Sequence, residues 1–267
     1  MKAVSTDQRD QHVEPTVPTD TGRQGMHLDT VAELLKDIAR KPGAVLVSGA
    51  HTLVPGPLYV MGFNPGGSAE GDGTAKSLTI GESIEGSRGK VAWNEWADDK
   101  YGGAGHSILQ SRICSVFREL NVDPRKTLST NALFVKSNDA GALENPWNLW
   151  WQHCWPVHQF LLHVVRPAVV VCLGNGEALS AQALLRHPSP SKGRRYDVHW
   201  VPSDADQSAD GQWEEKVIFD LGEYGQHSCA VLGLSHPSPR VSKGWPLTAR
   251  AREKIAQARD RIQGWQA

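Results

Sequence analysis

The chain has 267 residues, 39% hydrophobic and 21% charged, with a formal net charge of −1 at pH 7, enough apolar material for one sizeable core. No apolar run approaches the length of a membrane span, and the polar N-terminus lacks the hydrophobic centre of a signal peptide. Three of the four cysteines lie in apolar runs and none forms a CxxC pair, so they read as small core residues of a reducing compartment. The expectation is a soluble, monomeric cytoplasmic protein that makes no use of a membrane.

Residues 1–25 are polar, carry Pro15 and Pro18 and show almost no apolar periodicity, the composition of a flexible arm. A single domain is expected over residues 26–267. Asp29 and Thr30 are placed to cap a helix striped by Val31, Leu34, Leu35 and Ile38. Strands fit residues 44–47 and 58–63. The Gly- and Ser-rich residues 66–89 read as a long loop, which in a compact domain is usually functional or mobile. Ile108, Ile113, Val116, Phe117 and Leu120 repeat at helical spacing, and a strand is expected over residues 130–135.

Pro146 is placed to start a helix lined by Trp150, Cys154, Val157, Leu161 and Val164, which Pro156 should kink or divide. Residues 168–173 form a continuous apolar run, the pattern of a strand buried on both faces, and residues 174–186 a short helix. Strands are expected over residues 196–201 and 216–221, around an acidic segment, and over 230–234. The last helix carries Leu247, Ala251, Ile255, Ala258 and Ile262 on one stripe. Strands alternating with helices predict an α/β fold, a three-layer α/β/α sandwich with a mainly parallel central sheet.

Charge is segregated along this frame. Seven Lys or Arg residues stand between Arg240 and Arg261 against two acids, whereas eight acids stand between Asp197 and Glu223 against Lys216. A neutral protein can thereby carry a basic face, although such runs also occur as ordinary solvated surface.

Two short segments carry most of the chemistry. Gly62-Phe63-Asn64-Pro65-Gly66 closes one apolar run and His236-Pro237-Ser238-Pro239-Arg240 closes another. Each follows a predicted strand, and the carboxyl edge of an open α/β sheet is where sites are built. An amide and an imidazole would then meet at one cleft. His187-Pro188-Ser189-Pro190 repeats the second tetrapeptide after a predicted helix and reads as a basic surface loop, so position decides between the copies. His153, His158 and His163 are five apart, off one helical face and without a cysteine pair, so no metal site is expected.

These segments resemble the uracil-DNA glycosylase superfamily, most closely its single-strand-selective monofunctional and mismatch-specific branches. The first motif, the strand over Thr130-Asn131-Ala132-Leu133-Phe134-Val135, the strand Val169-Val170-Val171-Cys172-Leu173-Gly174 and the second motif occur in the superfamily's order. The resemblance implies a cofactor-free DNA glycosylase that flips a uracil or other modified pyrimidine out of the stack. It hydrolyses the N-glycosidic bond and leaves an abasic site, in repair or in defence against DNA with modified bases. It gives Asn64 the attacking water and His236 the leaving base. Phe63, Ile80, Asn131, Ser137 and Asn138 are the candidates for holding the base, with Ile80 standing where the single-strand-selective branch has an aromatic platform. Ser238, Arg240, Lys243 and Trp245 are the candidates for DNA contact, Trp245 as a wedge.

Each role has a plainer counterpart. Asn64 can be a turn residue, His236 a loop imidazole bonded to backbone, Phe63 a packed ring, and Trp245 a brace for the last helix. The tryptophans 147, 150, 151 and 155 fit a stacking surface or a core. A glycosylase fold without chemistry, acting as a nucleic-acid-binding or regulatory module, is the competing function.

Overall fold

In a computed structural model of the chain, residues 21–67, 77–98, 107–137, 143, 150–176, 180–186, 198–200, 211–238 and 245–266 are described. Among the described residues six strands form one sheet: β1 (Leu58–Gly62), β2 (Leu128–Asn131), β3 (Val169–Leu173), β4 (Val198–Trp200), β5 (Gln212–Asp220) and β6 (Gln226–Leu234), in the order β2-β1-β3-β6-β5-β4. The β2-β1-β3-β6 part is parallel, and β5 and β4 extend it antiparallel on one side.

Alternation along the strands sorts the core into two layers. Tyr59, Met61, Val170, Cys172, Cys229 and Val231 face one apolar cluster, which includes α1 (Thr21–Leu34), α5 (Trp151–Val165) and α6 (Ala181–Arg186). Val60, Val171, Leu173, Leu232 and Leu234 face the other, built with α4 (Ile108–Leu120) and α7 (Ala249–Gln263). The mainly parallel α/β/α sandwich follows directly, because a parallel sheet needs both faces covered. Helix α7 buries Ala251, Ile255, Ala258 and Ile262, and each such isoleucine contributes about 1.5–3 kcal/mol.

Several boundaries differ from the sequence expectations. Helix α1 begins at Thr21, inside the stretch read as an arm. Residues 44–47 form no strand; Leu46 alone among them makes an isolated antiparallel bridge, to Thr130. Part of the expected long loop is α2 (Ile80–Arg88), with a capping box in which Thr79 accepts from the Glu82 amide and Glu82 from the Thr79 amide. A short helix, α3 (Glu95–Asp98), was also unforeseen. Ile108 is exposed, and α5 runs through Pro156 undivided. Among the described residues no helix is long and apolar enough to cross a membrane.

The connectivity creates a switch point. From β1 the chain moves to β2 on one side and then returns to β3 on the other, so the connections leaving β1 and β3 diverge. A crevice at the carboxyl ends of these strands is the expected ligand position in such sheets.

Candidate active site

Asn64 and His236 each stand two residues beyond the ends of their strands, Gly62 of β1 and Leu234 of β6. Both strands flank β3, so the two loops leave the sheet two strand spacings apart, about 10 Å, with the end of β3 between them.

The first motif is organised by its neighbours on β2. Gly62 is in register with Asn131, and a Cβ at residue 62 would lie 2.5 Å from Asn131 Oδ1. Any side chain at residue 62 would have to displace the Asn131 amide, which glycine leaves in place. Asn131 is buried and, among the described residues, its side chain makes no hydrogen bond. A buried amide with open donors and acceptors is poised to read a complementary polar edge.

Beyond Gly62, Ala132 N donates to Gly62 O at 2.8 Å, Leu133 N to Phe63 O at 2.8 Å and Ser137 N to Pro65 O at 3.1 Å. The motif backbone is thus laced to the segment after β2. Asn64 Nδ2 donates to Pro65 O at 3.0 Å and to Ser137 O at 3.3 Å. Both partners are carbonyls, so the amide nitrogen must face them. Oδ1 is turned the other way and has no hydrogen-bond partner among the described residues. Asn64 therefore offers one fixed acceptor.

The second motif offers the opposite polarity. Ser238 N donates to His236 Nδ1 at 3.1 Å, which requires a lone pair on Nδ1 and puts the proton of the neutral ring on Nε2. Burial holds the imidazole below its ordinary value, favouring the uncharged form. Nε2 has no hydrogen-bond partner among the described residues. Gly174, directly after β3, has φ +135°, and a Cβ there would lie 3.6 Å from His236 Cδ2. This glycine lets the backbone turn beneath the ring.

Arg112 was not anticipated. From α4 its Nη1 donates to Pro237 O at 3.1 Å and Ser238 O at 3.3 Å, and its guanidinium carbon lies 5.5 Å from the centre of the Trp245 ring. An arginine on an amphipathic helix leaves no sequence signal for such a contact.

Most of the remaining described candidates are engaged in packing. Phe63 and Ile80 are buried members of the core cluster on the α1 and α5 side, Ile80 as the first residue of α2 against Gly43. Both are engaged in packing. Ser137 reaches the site through its backbone, holding Pro65 and Asn64. Trp245 is half-buried, donates from Nε1 to Ser235 O at 3.3 Å and packs against the α4 and α7 layer. Its ring is tied into the fold, as the bracing alternative requires. Trp151 and Trp155 are likewise core, stacked around His158, while Trp150 packs on that core. Asn138, Arg240, Lys243, Trp147 and the His187 repeat lie outside the described residues. No cluster of metal-ligating side chains occurs among the described residues.

No protein-family model matches the chain, and no curated protein matches it.

Proposed function

We infer that the protein is a monofunctional DNA glycosylase acting on uracil or another modified pyrimidine. One observation carries this reading: the carboxyl edge of the sheet presents a pinned acceptor, Asn64 Oδ1, on one side of β3 and a pinned neutral donor, His236 Nε2–H, on the other. Hydrolysis of an N-glycosidic bond needs that pair of polarities. Water adds to the sugar carbon while the bond to the base nitrogen breaks, its electron pair leaving with the base. Positive charge develops on the sugar and negative charge on the base oxygen.

Asn64 Oδ1 accepts a hydrogen bond from the water and aims it, and the water's proton passes to solvent, since an amide is no base at neutral pH. His236 Nε2–H donates to the oxygen on which charge grows, and a donor fixed beforehand stabilises that charge without reorganising. Asn131, with its free amide beside Gly62, reads the polar edge of the flipped base. Because Asn64 orients water and does not deprotonate it, excision depends on a base that leaves readily.

The test is incubation with duplex and single-stranded oligonucleotides carrying uracil or a panel of modified pyrimidines, followed by alkaline cleavage of abasic sites. Strand scission at the modified position supports the reading. Specific binding with no scission on any substrate supports the competing one, a module that retains the fold without the chemistry.

A further inference from the structure

We propose that Arg112 is a positioning residue for His236, setting the tautomer on which the donor role depends; this rests on the glycosylase reading of the site. The second-motif loop is gripped from outside itself. The Arg112 guanidinium bonds the carbonyls of Pro237 and Ser238 at 3.1 and 3.3 Å and lies over the Trp245 ring. Trp245 in turn bonds the carbonyl of Ser235. Residues on both sides of His236 are therefore held by one cation and the indole beneath it. Within the held loop, Ser238 N–H occupies His236 Nδ1.

A free neutral imidazole exchanges its proton between two nitrogens, and what bonds one of them decides the other. Arg112 is suited to the task because Nη1 reaches both carbonyls while the planar, delocalised guanidinium lies 5.5 Å from the indole centre, a fixed geometry that a compact, strongly hydrated ammonium on a flexible stem does not reproduce. Its own place is fixed by α4. Ser107 and Gln110 form a capping box at the helix start, Asn121 ends the helix in the left-handed conformation, and Val116, Phe117 and Leu120 are buried.

The experiment compares the wild type with Arg112→Lys and Arg112→Ala. The His236 tautomer is read by long-range proton–nitrogen NMR on the DNA-free protein, and single-turnover excision and DNA affinity are measured beside it. Arg112→Lys keeps the charge, and its fold is checked by thermal unfolding. It should nevertheless populate the Nδ1–H form that the wild type lacks, and lower the excision rate at least about tenfold with affinity changed less than about threefold. Arg112→Ala should do both more strongly. An unchanged tautomer in folded Arg112→Lys overturns the proposal. If the wild type excises nothing, the tautomer still decides the role of Arg112, so failure of the glycosylase reading is seen separately.

Discussion

His158 makes stability acid-sensitive in a way that can be worked out from its surroundings. It is fully buried on α5, its Nε2 donating to Ala132 O at 2.9 Å while Nδ1 accepts from the Tyr59 hydroxyl at 2.7 Å. Tyr59 is bonded to Thr130 at 2.8 Å, so the network ties α5 to β1 and β2. Burial pushes the imidazole down to about 4, from 6.5 in an exposed chain. Above pH 6.5 the ring is neutral in both states and the term is absent. As pH falls from 6.5 towards 4 the unfolded chain binds a proton that the fold refuses, and stability is lost at about 1.4 kcal/mol per pH unit, to a total of about 3 kcal/mol. Urea unfolding between pH 7 and 4 should therefore fall more steeply for the wild type than for His158→Met, which has no proton to bind; His227 and His236, also lowered by burial, are common to both. In the wild type, the His158 ring resonances should not titrate above pH 5. Parallel unfolding curves, or a His158 titration near 6.5, would refute the reasoning.

Three substitutions probe the site's construction. Gly62→Ala places a Cβ 2.5 Å from Asn131 Oδ1 and should cut excision of the preferred base at least about tenfold in single-turnover assays, with the melting temperature down by no more than about 5 °C. Asn64→Asp turns two donor bonds into oxygen–oxygen contacts with Pro65 and Ser137; excision should drop, and a rate above wild type would contradict the water-orienting role. Gly174→Ala forces a side chain into φ +135° beside His236 and should cost about 1–3 kcal/mol in denaturant unfolding, together with most of the activity.

Strands such as β3 and helices such as α7 were legible because burial on both faces of a parallel sheet writes continuous apolar runs such as 169–173, and a packed helix writes a stripe such as Ala251, Ile255, Ala258 and Ile262; the strand expected over 130–135 lies earlier, at Leu128–Asn131. Helix α2 was missed although Thr79 and Glu82 spell its capping box, because composition outweighed the cap signal. The extended segment over 44–47 had strand-like residues but only bridging partners, a matter of tertiary placement. The positions of Asn64 and His236 followed from strand ends. Their polarity did not, since it depends on carbonyls of Pro65 and Ser137 and on the amide of Ser238. Phe63 and Trp245 could not be assigned between packing and contact with DNA because an aromatic at a strand end or loop reads the same in either role.

Asn64 and His236 are proposed to act on opposite partners of one bond cleavage. Single-turnover excision of uracil from a defined oligonucleotide, measured for the wild type, Asn64→Ala and His236→Ala alongside DNA affinity, tests this most directly. Each variant is expected to lose at least about a hundredfold in rate with affinity within about threefold of wild type. Wild-type-like excision by folded Asn64→Ala would contradict the account.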